Sequence, residues 1–250
     1  MTKIVVANWK MNPQSVKEAE NLFKEVSKVA SKTKNTKIVV CPPFPFLFIS
    51  QKLKNKKIIM GAQNVSIDEG GSHTGEVSPD MILSMGAHYV IVGHGESRSR
   101  GESNEIINKK VLNLIKFKLS PILCVGESNR DKDGAYLSFV EEQIKACLSG
   151  VPKSQMKNVT IAYEPLWAIG AGAQREATKE EFMEIKIFIR KVISDIYDSK
   201  TAHTVPVLYG GSVNSLNAGY FAKEGGADGL LVGRDSLNSK KFEGIISALK

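Results

Sequence analysis

The chain has 250 residues, 42% of them hydrophobic and 24% charged, with a formal net charge of +8, which is enough apolar material for a large core. No apolar run approaches a membrane span, no apolar leader follows Met1-Thr2-Lys3-Ile4, and three widely spaced cysteines suggest neither a disulfide framework nor a zinc site, so no metal, no membrane partner and a cytoplasmic setting are expected. Lysine dominates arginine without interleaved aromatics, which reads as solvated surface rather than a nucleic-acid site; a positive field would still help recruit a small anion.

Short Val- and Ile-rich runs recur along the chain at 4–7, 38–41, 58–61, 89–92, 122–125, 159–162, 205–208 and 229–232. They do not alternate polar with apolar, as befits strands buried on both faces. Helical periods lie between them. Ser15-Val16-Lys17-Glu18 and Thr178-Lys179-Glu180-Glu181 fit capping boxes ahead of apolar stripes. Further helices are expected near 103–118, 132–149 and 235–249, with shorter ones after Pro45, Pro79 and Leu216. Strands alternating with helices and no linker predict one α/β domain over residues 1–250. A doubly wound sheet is the rival. No Gly-x-Gly-x-x-Gly follows the first strand, and unusual polar residues sit after strands one, four, six, seven and eight, which favours a closed (β/α)8 TIM barrel.

Asn8-Trp9-Lys10 follows the first strand, where a lysine can offset developing negative charge. His94 follows the fourth, between Gly93 and Gly95 and just ahead of a helix. A helix N-terminus disfavours imidazolium, leaving a neutral ring able to donate. Glu164 follows the sixth strand, held extended by Pro165, and the segment Pro165-Leu166-Trp167-Ala168-Ile169-Gly170-Ala171-Gly172 reads as a lid over it. Under a lid a carboxylate loses water and gains basicity. Glycines in Tyr209-Gly210-Gly211-Ser212 and Val232-Gly233-Arg234 expose backbone N–H groups after strands seven and eight, the usual phosphate cradle of a barrel. Base, electrophile, cation and cradle together point to proton abstraction beside a carbonyl on a small phosphorylated substrate.

From end to end the chain resembles the triosephosphate isomerase family. The resemblance is carried by Asn8-Trp9-Lys10-Met11-Asn12, Gln63-Asn64-Val65, Thr74-Gly75-Glu76-Val77-Ser78, Gly93-His94, Cys124-Val125-Gly126-Glu127, Ala162 to Gly172, Tyr209 to Val213 and Leu231-Val232-Gly233. It implies interconversion of dihydroxyacetone phosphate and D-glyceraldehyde 3-phosphate without a cofactor. It implies Glu164 as base, His94 as electrophile and proton shuttle, Lys10 as countercharge and Asn8 as its support. It further implies phosphate held by the N–H groups of Gly170, Ser212, Gly233 and Arg234. A homodimer would form through the loop around Thr74, with Glu76 at the contact and Arg98, or else Arg100, standing in for the arginine that Ser97 replaces, unless that ion pair is absent.

Four departures from the family pattern stand out. Gly95 lacks a hydroxyl that usually engages the base, and Ser97 replaces an arginine that usually meets the acid at Glu76. Ala171 and Ala173 replace a threonine and a lysine at the lid's end. Arg234 replaces a glycine, at a cost on the order of 1 kcal/mol if its φ is positive. These keep two alternatives in view: another phosphate-binding barrel enzyme, and a weakened barrel kept as a binding module.

Overall fold

The computed structural model describes residues 2–170 and 172–249, so Ala171 of the expected lid lies outside the described residues. Eight strands form: β1 (Lys3–Asn8), β2 (Thr36–Cys41), β3 (Ile58–Ala62), β4 (Ala87–Val92), β5 (Ser120–Val125), β6 (Thr160–Tyr163), β7 (Val207–Tyr209) and β8 (Gly229–Val232). Each pairs in parallel with the next, and β8 returns to β1 with Ile4 opposite Gly229, so the sheet is a closed barrel. The open-sheet rival is thereby excluded. Closure depends on Gly229, because a Cβ there would lie 1.9 Å from the Ile4 carbonyl oxygen.

The absence of alternation now has its reason. Ile4, Val6, Val39, Cys41, Ile91, Ile122, Cys124, Ala162, Leu208 and Leu231 fill the barrel interior. Their neighbours, such as Val5, Val40, Val90, Leu123 and Ile161, face the surrounding helices. Both faces of every strand are therefore apolar.

The helices are α1 (Val16–Ser31), α2 (Ile49–Leu53), α3 (Pro79–Ser84), α4 (Gly95–Arg98), α5 (Asn104–Lys116), α6 (Ala135–Cys147), α7 (Lys179–Ile196), α8 (Ser199–Thr204) and α9 (Ser239–Ala248). Only the second of the two expected capping boxes closes. Thr178 and Glu181 bond each other's backbone N–H groups, whereas Glu18 reaches past Ser15 to the N–H of Gln14. The helix expected after Leu216 is a short π-helical segment at Tyr220–Glu224, and α8 had no periodic signal. No helix among the described residues is long and apolar enough to cross a membrane.

The surplus charge is not spread over the surface. Residues 24–57 hold nine lysines and one acid, Glu25, which accounts for the whole formal net charge of +8. Most of these lysines follow the ends of α1 and α2 or precede β2 and β3, at the N-terminal end of the barrel. A strand spans about 20 Å, against a screening length of about 8 Å in physiological salt. The expected funnel for an anionic substrate at the other end is not what this charge provides.

The same end carries a part-buried ion cluster. Asp228 accepts from Lys186 and Arg190, each at 3.1 Å, and from the Val207 N–H at 2.9 Å. Nearby, Lys3 donates to the Ala222 and Ala227 carbonyls. Removing the one carboxylate leaves desolvated cations unpaired. Asp228→Asn should lower unfolding stability by about 3–5 kcal/mol in urea titration; a loss below 1 kcal/mol would mean the carbonyls alone suffice.

Candidate active site

All the polar residues singled out after strands one, four, six, seven and eight meet in one cavity of about 870 Å³. Asn8, Lys10, His94, Glu164, Gly170, Ser212, Gly233 and Arg234 line it. A parallel barrel brings every strand's C-terminal end to one rim, so residues far apart in sequence converge there. A shallower groove of about 390 Å³ near α1 and α2 offers lysines but no carboxylate–imidazole pair.

Glu164 is 3% exposed at the end of β6. Its backbone is seated against Gly126, where a Cβ would lie 1.8 Å from the Glu164 carbonyl oxygen. Its carboxylate accepts from the Gly95 N–H at 2.8 Å through one oxygen and faces His94 Nε2 at 3.0 Å through the other. Burial lifts the carboxyl above the ordinary range, while His94, the Gly95 N–H and the charges of Lys10 and Arg98 restrain the rise.

His94 is the N-cap of α4. Its Nδ1 accepts the Glu96 N–H at 3.2 Å, which requires the ring lone pair there and places the proton on Nε2, toward Glu164 and the cavity. The other three histidines, His73, His88 and His203, are exposed.

Lys10 has φ 54°, a left-handed conformation that costs on the order of 1 kcal/mol in a residue with a Cβ. Two side chains hold it: Asn8 Oδ1 accepts the Lys10 N–H at 3.0 Å and Gln63 donates to the Lys10 carbonyl at 2.8 Å. The ammonium reaches Glu96 at 2.5 Å, and its stem passes 3.4 Å from where a Cβ on Gly233 would stand. Burial would raise the Glu96 carboxyl, but the hydrogen bond and charge of Lys10 outweigh it and hold it below the usual range.

Among the described residues, no three His, Cys, Asp or Glu side chains are placed to hold a metal ion. The family model described as Triosephosphate isomerase matches residues 3–249. Curated relatives of that name include those of Dictyoglomus turgidum, 39% identical over 98% of both chains, and Aquifex aeolicus, 41% identical over 98% of this chain and 99% of its own. That of Borrelia garinii is 42% identical over 97% of both.

The chain belongs to the triosephosphate isomerase family. Its departures from the family pattern can now be located. At Gly95 the backbone N–H itself holds Glu164, so the missing hydroxyl does not leave the carboxylate loose. The space is used otherwise, since a Cβ at Gly95 would lie 2.4 Å from Leu166 Cδ2 of the lid root. Arg234 opens a single 3-10 turn, Arg234–Leu237, and is not among the non-glycine residues with positive φ, so the expected strain is absent. Arg98, expected at a subunit contact, turns into its own chain instead. Its guanidinium donates to the Gly93 and Cys124 carbonyls and to Asn104 Oδ1, bracing the His94 loop.

The lid root is a 3-10 turn, Leu166–Ala168, following buried Pro165. Trp167 and Ala168 are buried, and Leu166, Ile169 and Gly170 line the cavity. Ser212 Oγ donates to the Ala168 carbonyl at 3.1 Å, joining the lid root to the loop after β7. Glu127 Oε1 accepts from both Tyr163 and Trp167 at 2.7 Å, and burial raises its carboxyl. The sequence alone assigns no role to Glu96, Gln63 or Glu127. Their only signal was adjacency to the motifs they support.

The raised Glu164 carboxyl has a thermodynamic consequence. Its folded pKa lies above the unfolded value of about 4.3, so ionisation opposes folding. That penalty is absent below the unfolded value and grows as pH rises through the folded one. The stability of Glu164→Gln relative to wild type should therefore increase from pH 4 to pH 8 in denaturant titrations. A flat difference would show that the carboxylate is not desolvated.

Proposed function

We propose that this chain interconverts dihydroxyacetone phosphate and D-glyceraldehyde 3-phosphate through an enediolate, in glycolysis and gluconeogenesis. The observation that carries the reading is a desolvated carboxylate facing an imidazole N–H, with an ammonium nearby, on the wall of a cavity floored by glycine loops. Glu164 takes a proton from the carbon beside the carbonyl and returns it to the neighbouring carbon. His94 Nε2–H donates to the carbonyl oxygen, then moves protons between the two enediolate oxygens. Lys10 balances the negative charge, positioned by Asn8. The reaction is redox-neutral and only relocates protons, so its balance requires no cofactor.

The phosphate rests on the N–H groups of Gly170, Ser212, Gly233 and Arg234. Descent of the lid, from Pro165 through Gly172, expels water and shields the enediolate from losing phosphate. We assign the whole of 1–250 to one catalytic domain and a cytoplasmic setting, which suits the three free buried cysteines.

A homodimer is part of the reading. Thr74 and Glu76 stand exposed on the loop between β3 and α3. Met11, Ile67, Met81 and Met85, all exposed, lie on the loop after β1, on this loop, on α3 and at its C-cap. Apolar surface of this kind suits a subunit contact.

A coupled assay on glyceraldehyde 3-phosphate should give turnover, and Glu164→Gln should lower kcat by about 10²–10⁴-fold with an unchanged circular dichroism spectrum. No turnover by folded wild type defeats the isomerase reading, and retained activity in the variant defeats the base assignment. Light scattering should give twice the 27.3 kDa chain mass, and Thr74→Arg should shift it toward a single chain. A single-chain mass for wild type at every concentration would remove the dimer.

A further inference from the structure

Seven stretches lead from a helix into the next strand: 32–35, 54–57, 85–86, 117–119, 148–159, 197–206 (which carries α8) and 225–228. All gather at the end of the barrel opposite the active site. Together they hold nine lysines, from Lys32 to Lys200, no arginine and two acids. Both acids are engaged, Asp198 with Lys153 and Asp228 with Lys186 and Arg190. The stretches that leave the strands at the active-site rim (9–15, 42–48, 63–78, 93–103, 126–134, 164–178, 210–219 and 233–238) hold eleven acids against seven lysines and arginines. The molecule is therefore polarised along its barrel axis.

Lysines kept for solubility would serve anywhere on the surface, so this segregation needs a cause. Lysines at a helix C-terminus complement its dipole, which covers Lys32 and Lys54 at the caps of α1 and α2. It does not cover Lys34, Lys56, Lys57 or Lys118, which lie past the caps and are exposed. Among the described residues, only Lys32 and Lys153 of the nine meet a carboxylate. Lys54, Lys56 and Lys57 crowd into four residues with no acid between them, a repulsion the chain tolerates.

The shape of the array narrows the partner. Lysines occupy five of the seven stretches, so they are spread across the end of the barrel rather than drawn into a line. A nucleic-acid strand is held along a groove, by arginine and stacked aromatics as well as lysine. Here arginine is absent and the aromatics, Phe117 and Tyr197, are half-buried. Of the large apolar residues on these stretches, Met85 alone is exposed among the described ones. Such an end reads charge density over a plane.

We propose that this end of the barrel docks on an anionic lipid surface, reversibly and without inserting a side chain. Each lysine held within a screening length of such a surface tightens binding by about fivefold. The acidic rim stands about 20 Å away, beyond a screening length of about 8 Å, so it does not cancel the attraction. It orients the molecule instead, with the cavity of Glu164 and His94 opening away from the lipid. The expected absence of a membrane partner rested on apolar runs, which report spanning segments and not this kind of contact.

Vesicles of phosphatidylcholine with about one third phosphatidylglycerol should co-sediment the protein at about 0.05 M salt and release it near about 0.5 M, while phosphatidylcholine alone should not hold it. Lys54→Glu, Lys56→Glu and Lys57→Glu together should weaken binding by about a hundredfold or more, and glutamine at the same three sites by less. Lys17→Glu, Lys132→Glu and Lys240→Glu together change the net charge equally but at the rim, and should leave binding within about twofold. All six side chains are exposed, and circular dichroism checks the fold of each variant. Failure to co-sediment at low salt would overturn the proposal. An equal loss in the two glutamate variants would reduce the effect to net charge and overturn it as well. Release from the vesicles by an equal phosphate concentration of duplex DNA would assign this end to nucleic acid instead.

Discussion

The contact on which the site depends is the one between Glu164 and the loop after β4. A carboxylate that is 3% exposed is costly unless donors face it. Two do, the Gly95 N–H and His94 Nε2, and both come from the same turn. The donor at Nε2 exists only because the Glu96 N–H occupies Nδ1. One short helix start thus fixes the position of the Glu164 carboxylate and the tautomer of His94 together. Arg98 braces that turn from beneath, through the Gly93 carbonyl. The charge on Glu96 then reaches across to Lys10. Glu164, His94 and Lys10 are thus linked through α4 and its cap, with Asn8 and Gln63 holding the Lys10 backbone from the other side.

How much of this the sequence displayed follows from what kind of force sets each feature. The strands were legible because burial on both faces leaves an uninterrupted Val/Ile run, and Lys3–Asn8 and Ala87–Val92 fall where such runs lie. The residues at strand ends were legible because a barrel gives all such ends one rim. α8 was not, since Ser199-Lys200-Thr201-Ala202-His203-Thr204 has no apolar stripe and is held by the Asp198 cap. Glu18 departs from the expected capping box at a single hydrogen bond, because a capping pattern does not say which N–H the glutamate will choose. Arg98 illustrates the deeper limit. An arginine after a helix start looks like surface, and only the positions of the Gly93 and Cys124 carbonyls reveal that it points inward.

Gly95 joins the two halves of the site. Read alone, it is a lost hydroxyl. In the fold its missing Cβ is where Leu166 packs, 2.4 Å from the position that atom would take. Leu166 therefore leans on the same residue whose N–H holds the Glu164 carboxylate. A side chain at 95 would press on Leu166 and stand 3.5 Å from the Glu164 carboxylate, so both packings meet at one residue. Leu166 covers Glu164's donor, Trp167 is held from behind by Glu127, and Ser212 ties Ala168 to the loop after β7. Each of the three residues of the 3-10 turn thus engages a different wall of the site. A turn this short has little internal freedom, so it responds as a unit. The Glu164 carboxylate, the loop after β5 and the loop after β7 are in this way coupled through backbone geometry, even though no single side chain touches all three.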